Sequence, residues 1–225
     1  MTKSKEQQII DNVRQQIDAA AARSGRRSED ITLLAVTKMH GPQEINEAIS
    51  CGITDIGENK VQELLSKYDD IQKGVRWHFI GHLQTNKVKS IVDKVDMIQS
   101  VDSLHLAEEI DRRCKAIGKT MDILIQVNAA GEVQKSGIAP QELFPLIDEI
   151  NKLSNLRIRG LMQVAPDIDD TDALRHYFKT VKDLFDKIPG ADILSMGMSG
   201  DFEIAIEEGA TMVRIGTKIF GERNY

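Results

Sequence analysis

The chain has 225 residues, 41% of them hydrophobic, which suits one large domain or two small ones. Its net charge is -6, and no long basic stripe is present, so nucleic acid and anionic membranes are poor candidate partners. No apolar run approaches the roughly 18 residues of a membrane span, and the polar N-terminus lacks an apolar signal-peptide core. The two cysteines, Cys51 and Cys114, match no metal spacing. The sequence therefore predicts a cytoplasmic protein with reduced thiols.

The chain opens with a predicted helix, after which strand-like and helix-like segments alternate. Ile10, Val13, Ile17 and Ala20 follow the spacing of one helix face, and the helix is expected to end at Ser24-Gly25. We predict strands at 31–36, 53–57, 77–80, 97–101, 121–127, 157–162, 192–196 and 212–215. We predict helices near 43–51, 59–72, 85–93, 103–117, 140–152, 170–187 and 200–208, with a short last helix from about Thr217.

Eight strands separated by helices are typical of parallel β/α units, and an eight-stranded barrel closes this pattern without leaving an edge. The alternative is an open doubly wound sheet, but no G-x-G-x-x-G follows the first strand. No linker or internal repeat is visible. The sequence therefore predicts a single (β/α)8 TIM barrel over residues 1–225, with an extra N-terminal helix.

Polar residues collect directly after the predicted strands. In a barrel, the carboxyl ends of the strands converge on one face. These residues are Lys38, Glu58, Asn59, His82, Gln84, Asn128, Gln163, Ser199, Gly200, Arg214, Gly216 and Thr217. Any single Asn or Ser among them is equally well explained as a turn or cap residue. The group as a whole indicates a ligand site.

Lys38 stands at the mouth of the first predicted strand, one residue past Thr37. Apolar surroundings disfavour the ammonium form of a lysine and lower its pKa, and the neutral amine can then form a Schiff base with an aldehyde. The alternative is a lysine that leaves the strand and points into water.

Two glycine-containing loops are the second indication of a ligand. The stretches 195–201 and 214–217 each precede a predicted helix, where backbone N–H groups can approach an anion. Phosphate sites in barrels often lie between the loops after strands seven and eight, which are these two loops. The alternative is a pair of ordinary turns. Taken with Lys38, the loops indicate a ligand that carries both a phosphate and an aldehyde.

Pyridoxal 5′-phosphate carries both groups. Lys38 would hold its aldehyde as a Schiff base, and Arg214 would face its pyridine nitrogen. The phosphate would be held by Ser199, Gly200, Gly216 and Thr217. Because arginine stays protonated, the pyridine nitrogen would have to act as an acceptor. An unprotonated pyridine is a poorer electron sink, which limits carbanion chemistry.

Several blocks of the sequence match a known family. They are 34–38, 57–63, 77–87, 127–128, 135–137, 160–162, 194–201, 214–217 and 219–221. The block that includes His78, His82 and Lys87 is the most specific. On these residues the chain resembles the YggS/PROSC family of pyridoxal phosphate homeostasis proteins, which in turn resembles the barrel domain of alanine racemase.

The resemblance implies a monomeric barrel that binds pyridoxal phosphate through a Schiff base to Lys38. It implies Arg214 at the pyridine nitrogen and Asn59 beside the ring. It implies phosphate contacts from Ser199, Gly200, Gly216 and Thr217. A protein of this kind would buffer the cofactor and hand it to apo-enzymes that depend on pyridoxal phosphate. Lys60, Lys87 and Lys135 are further candidates to bind cofactor in transit.

Two catalytic alternatives remain open beside this non-catalytic carrier. A weak amino-acid racemase would need a second base, for which His78, His82 and Tyr225 are the candidates. Tyr68 and Tyr177 are expected on helices away from the barrel mouth. The chain ends about ten residues past the last strand, so we expect no second, β-rich domain of the alanine racemase kind.

The second catalytic alternative is a Schiff-base aldolase that acts on a phosphorylated sugar with the same lysine and the same phosphate loops. Aldolases of that type more often place the lysine on a later strand, which is an argument from fold analogy alone. A pure scaffold protein would leave the polar barrel mouth unexplained.

Overall fold

The computed structural model describes residues 3–132 and 134–221, and the strands in this part of the chain form one closed, all-parallel barrel. They are β1 (Thr32–Val36), β2 (Asp55–Glu58), β3 (Arg76–Phe79), β4 (Met97–Val101), β5 (Met121–Val127), β6 (Leu156–Gln163), β7 (Ile193–Ser195) and β8 (Met212–Ile215). The barrel closes because β1 pairs with β8, where Leu34 lies opposite Arg214. The predicted TIM barrel is therefore confirmed, and the open doubly wound sheet is wrong.

Helices alternate with the strands and cover the outside of the barrel. They are α1 (Lys5–Arg23), α2 (Pro42–Ser50), α3 (Val61–Lys67), α4 (Val88–Ile91), α5 (Leu104–Ile117), α6 (Leu143–Ile150), α7 (Thr171–Phe185), α8 (Phe202–Glu207) and α9 (Thr217–Phe220). The predicted extra N-terminal helix is α1, which packs on α8 and α9. It begins after Ser4, whose hydroxyl accepts a hydrogen bond from the Gln7 N–H. Arg23, at its other end, forms ion pairs with Glu203 and Glu207 of α8.

Several predicted elements differ in length from those observed, and three of these differences have a visible structural cause. The predicted strand from residue 53 begins at Asp55, because the Ile53 N–H donates to the Ala48 carbonyl and so closes the end of α2. The predicted helix 59–72 ends at Lys67, where φ is -118°, and continues only as a 3-10 turn. The predicted helix 85–93 is a 3-10 turn followed by the single turn of α4.

The barrel interior is separated from the large core that lies between the sheet and the helices. Because successive strand residues point to opposite faces, every second residue enters the interior. Two small apolar clusters form there, separate from the outer core: Leu34, Val36, Ile80 and Met212 make up one, and Met97, Leu124 and Met162 the other. On these interior positions the barrel also carries polar and charged residues that are almost fully buried: Asp55, His78, Gln99, Ser195 and Arg214. The interior is therefore unusually polar for a packed barrel, and these side chains lead to the mouth described below.

Within residues 3–132 and 134–221, no helix combines the length and the apolar character needed to cross a bilayer.

Candidate functional site

Lys38 lies in a tight turn at the carboxyl end of β1. The His40 N–H donates to the Thr37 carbonyl at 3.1 Å, which closes residues 37–40, called here the Lys38 turn. Val36 points into the barrel, and the two-residue period of the strand places Lys38 on the same side, at the mouth. Its side chain is half-buried. The structure thus brings the predicted lysine to the predicted end of the barrel.

Asn59 lies at the same end, directly after β2. Its side-chain oxygen is buried, and no donor in the described part of the chain reaches it. A side chain at Gly81 would place its Cβ 2.1 Å from the Asn59 carbonyl oxygen, so the loop after β3 can lie against Asn59 only with glycine at 81. A buried acceptor without a donor is a group that a bound ligand would satisfy.

The loops after β7 and β8 meet at the mouth, as the sequence predicted. The Gly216 N–H donates to the Ser199 hydroxyl oxygen at 3.3 Å and so joins the two loops. The amide nitrogens of Ser199, Gly200 and Thr217 have no acceptor among residues 3–132 and 134–221. Unpaired N–H groups on two adjoining loops form a cradle suited to an anion. At Gly197 in the same loop φ is +93°, and a Cβ there would lie 2.6 Å from that of Ala205, so this turn requires glycine.

Arg214 is buried beneath these loops, with 4% of its surface exposed. Its Nη1 donates to the Ser195 hydroxyl at 2.8 Å, and its Nη2 donates to the Gln163 carbonyl at 2.7 Å. Burial lowers the pKa of Arg214 to about 10, against the opposing effect of Asp201, so the guanidinium remains protonated at neutral pH. The structure therefore places a fixed positive charge at the base of the mouth.

A chain of hydrogen bonds runs from this arginine through the barrel to its opposite end. Its members, in order, are Arg214, Ser195, Gln99, His78, Asp55 and Arg76. Ser195 donates to Gln99 at 2.7 Å, and the Gln99 amide donates to His78 Nδ1 at 3.0 Å. His78 Nε2 then donates to Asp55 at 2.9 Å. Both ring nitrogens of His78 are thus engaged inside the barrel, and only 3% of the residue is exposed. His78 is therefore the wrong candidate for a second base at the mouth.

The same chain predicts a pH dependence of stability. Burial by itself raises the pKa of the Asp55 carboxyl, but hydrogen bonds from His78, Arg76 and Thr54 outweigh it and lower that pKa from 3.8 to about 2. A lowered pKa means that the unfolded state binds the proton more readily, so the stabilisation is present above about pH 4 and is lost as the pH falls toward 2. We expect Asp55→Asn to be less stable than the parent at neutral pH, with the difference shrinking as the pH falls from about 4 to about 2. Urea unfolding of both proteins across this range checks the prediction, and a constant difference would contradict it.

His82 is the remaining described candidate for an acid or base at the mouth. Its side chain is 60% exposed, and its Nδ1 lies 3.8 Å from an Asp102 carboxylate oxygen and 3.4 Å from the Ser136 hydroxyl. Tyr68 packs on Trp77, near the start of β3, and Tyr177 lies within α7, so both are away from the mouth as predicted. The third tyrosine, Tyr225, lies outside the described residues.

The secondary lysine candidates and the other polar residues after strands mostly have structural partners. Lys135 pairs with Glu132 and donates to the Ala165 carbonyl, and Asn128 donates to the Glu132 carbonyl. Lys60 is exposed and lies 3.5 Å from Glu63. These contacts order the loops around the mouth.

One buried residue near the mouth was not found from the sequence, and one residue predicted there has an unexpected environment. Lys67 reads as an ordinary residue of the helical stretch after β2, yet it is almost fully buried against the Lys38 turn. The Gln163 side chain is also buried, and neither of its amide atoms has a partner in the described ranges. A charged residue on a predicted apolar helix face was the available signal for Lys67. Gln163 was predicted at the mouth by its position after the sixth strand, but the lack of partners for its buried amide is visible only in the structure.

The comparisons with known proteins show the family to which the chain is similar. Residues 9–224 match the family described as alanine racemase, N-terminal domain. The chain is 42% identical over 222 residues to the pyridoxal phosphate homeostasis protein of Aquifex aeolicus, covering 96% of this chain and 97% of that protein. It is 42% identical over 221 residues to the protein of the same name from Escherichia coli, covering 95% and 94%.

A solved structure extends the likeness from sequence to fold. It is PipY of Synechococcus elongatus, whose structure was determined with PLP bound. The two chains are 33% identical and superpose with a TM-score of 0.79, and the match covers 91% of this chain and 100% of PipY. The chain therefore belongs to the alanine racemase N-terminal domain family, and within it to the pyridoxal phosphate homeostasis proteins.

Proposed function

We propose that this chain binds pyridoxal 5′-phosphate at the mouth of the barrel and acts in intracellular homeostasis of that cofactor. In this proposal, residues 1–225 form one binding domain. The observation that carries the proposal is that a half-buried lysine lies at the same end of the barrel as two loops in which three amide groups have no acceptor among the described residues. The names of the two relatives and the PLP bound to PipY support the same ligand.

The residues present fit the cofactor at each of its polar groups. Pyridoxal phosphate supplies an aldehyde, with which a neutral lysine amine forms a covalent C=N bond and releases one water molecule. In this proposal, Lys38 provides the amine. Ser199, Gly200 and Thr217 provide unpaired amides for the phosphate, and Gly216 acts indirectly, because its own amide is already donated to Ser199.

Arg214 and Asn59 would hold the ring. Two of the five N–H groups of Arg214 have acceptors among the described residues, and the remaining donors could serve a pyridine nitrogen. The buried Asn59 oxygen would gain the partner it lacks. Because Arg214 stays protonated, the nitrogen facing it would be held unprotonated, which weakens the ring as an electron sink. This favours a carrier over an enzyme.

A weak amino-acid racemase is the second candidate, and the position of His82 is the observation that favours it. His82 is exposed at the mouth beside Asp102, so it can exchange a proton there. Entry of solvent deuterium at the α-carbon of added amino acids would support this activity. A rate no higher than that of Lys38→Ala across a panel of amino acids would remove it.

We further propose that the protein acts as a cytoplasmic monomer and passes its cofactor to apo-enzymes. Cys51 and Cys114 are both free thiols, which suits a reducing compartment. Size-exclusion chromatography with light scattering tests the oligomeric state. Reactivation of an apo-enzyme faster than by an equal amount of free cofactor tests direct transfer.

The first test is an absorbance spectrum of the purified protein incubated with pyridoxal phosphate. We expect a band near about 420 nm that is lost on borohydride reduction, with the reduced cofactor found by mass spectrometry on the peptide that contains Lys38. Lys38→Ala should lose both signals, whereas Lys115→Ala, which changes an exposed lysine in α5, should keep them. A protein without the band would contradict the proposal and favour the phosphosugar aldolase.

A further inference from the structure

We infer that Lys67 is a positioning residue that holds the Lys38 turn in the conformation needed for covalent capture of the cofactor. This inference rests on the proposed function and deepens it, because it assigns a role to a second, buried lysine beside the one that reacts. Lys67 is the last residue of α3, and it is only 5% exposed.

The contacts of Lys67 surround the reactive residue. Its Nζ donates to the Thr37 carbonyl at 3.1 Å and to the His40 carbonyl at 3.0 Å, which are the first and last residues of the Lys38 turn. Its third partner is the Glu58 carboxylate at 2.8 Å. An ammonium group has three donors, and all three have an acceptor here. Lys67 is therefore fully engaged by the turn and by Glu58, and Lys38 lies within the segment that Lys67 holds.

The turn needs such support because its backbone is in an unfavourable conformation. Met39 has φ of +67°, the one positive φ at a non-glycine residue within the described ranges. Turns of this shape favour glycine or asparagine at that position. The Met39 N–H donates to the Glu63 carboxylate at 2.7 Å, which adds a further contact from α3. A strained turn persists only where its surroundings fix it, and such strain is concentrated at functional sites.

Glu58 links the turn to β2 and completes the arrangement. It is fully buried, and the Thr37 hydroxyl lies 3.3 Å from its carboxylate and 3.2 Å from the Gly57 carbonyl. Burial raises the pKa of Glu58, and the Lys67 ammonium opposes that effect. Removing Lys67 would thus take away the one charged donor that the Thr37 and His40 carbonyls share with the buried Glu58 carboxylate, and would leave that carboxylate only neutral donors in the described residues. The turn would then be free to relax, and the Lys38 amine would move with it.

The experiment separates positioning from simple stabilisation. Lys67→Met removes the donor and keeps the length of the side chain, and Lys67→Met/Glu58→Gln also removes the orphaned charge. Two quantities are measured for each folded variant. The first is the affinity for pyridoxamine 5′-phosphate, which has the ring and the phosphate but no aldehyde. The second is the rate at which borohydride traps pyridoxal phosphate on Lys38, which is followed by mass spectrometry at several pH values. Lys115→Met, a change at an exposed position in α5, is the matched control.

We expect both Lys67 variants to bind pyridoxamine 5′-phosphate with an affinity within about threefold of that of the parent. We expect borohydride to trap pyridoxal phosphate on their Lys38 at least about tenfold more slowly than on the parent. The control should match the parent in both affinity and trapping rate. A trapping rate within about twofold of the parent, or a loss of pyridoxamine phosphate affinity as large as the loss of trapping, would overturn the inference. Failure of the proposed function is a different result: the parent protein itself would show neither trapping nor pyridoxamine phosphate binding.

Glu63→Ala keeps the inference testable where neither Lys67 variant folds. Glu63 is half-buried and reaches the same turn through the Met39 N–H. We expect it to slow trapping severalfold with unchanged pyridoxamine phosphate affinity and an unchanged midpoint of thermal unfolding. An unchanged trapping rate in this variant would overturn the inference.

Discussion

Gly160→Ala is expected to destabilise the barrel by at least about 3 kcal/mol and to lower the midpoint of thermal unfolding by about 10 °C. Gly160 lies in β6 opposite Ile193 of β7, with φ of +147°. A Cβ at this position would lie 2.0 Å from the Ile193 carbonyl oxygen and 2.9 Å from the Phe185 ring. The first of these atoms belongs to a paired strand, so it cannot move aside without opening the contact between β6 and β7.

The position matters because β6 changes its register here. The pairing of β5 with β6 shifts between Ile123 and Leu124, and Gly160 is the residue opposite Leu124. Irregularities of this kind adjust the curvature of a strand, and glycine allows the backbone to approach its neighbour. Gly41→Ala is the matched control, since nothing lies within 4 Å of a Cβ there and φ is negative. Equal urea midpoints for Gly160→Ala and the parent would contradict the prediction.

Removing two hydroxyls from the phosphate loops should weaken the binding of pyridoxal phosphate by about 100-fold. Ser199 and Thr217 lie on the loops after β7 and β8, where unpaired amides already form a cradle for an anion. Hydrogen bonds to a charged group contribute about 1.5–3 kcal/mol each, so each lost hydroxyl should cost at least about tenfold in affinity. The double variant Ser199→Ala/Thr217→Val tests this by titration monitored through the absorbance of the bound cofactor.

The comparison ligand for this test is pyridoxal, which has the aldehyde but not the phosphate. We expect the double variant and the parent to bind pyridoxal with similar affinity, because we propose that the Ser199 and Thr217 hydroxyls donate to the phosphate. The Ser199 hydroxyl also accepts a hydrogen bond from the Gly216 N–H, and the pyridoxal measurement reports whether losing that contact disturbs the rest of the site. Thr180→Val removes a hydroxyl from α7 that donates to the His176 carbonyl, and it should leave both affinities unchanged. A double variant that loses pyridoxal and pyridoxal phosphate affinity in the same proportion would show that these hydroxyls support the fold and do not contact the phosphate.

Much of the architecture could be predicted because its signals are local. The strand 121–127 is a nearly continuous apolar run, and its predicted bounds are those observed for β5. The face of α1 that carries Ile10, Val13 and Ile17 is buried as its spacing indicated. The convergence of Lys38 with the loops after β7 and β8 followed from a general property of parallel barrels, that all carboxyl ends share one face.

The support beneath the site could not be predicted, because it depends on contacts between residues far apart in sequence. Lys67 contacts carbonyls about 30 residues away, and Ser195 bonds Gln99 across the barrel. The positive φ of Met39 has no sequence signal at all, since methionine is not a residue that favours such turns. His78 was a reasonable candidate base until the structure placed both of its ring nitrogens inside the barrel.

The sequence by itself determined the order and type of the elements, the end of the barrel at which chemistry collects and the family to which the chain belongs. These depend on residue periodicity and on short motifs, which act over a few neighbouring positions. Only the tertiary structure decided that the barrel closes through β1 and β8, that Arg214 is connected by hydrogen bonds to the opposite end and that a buried lysine holds the Lys38 turn. Those features depend on which strands become neighbours and at what register, and no local pattern specifies that pairing.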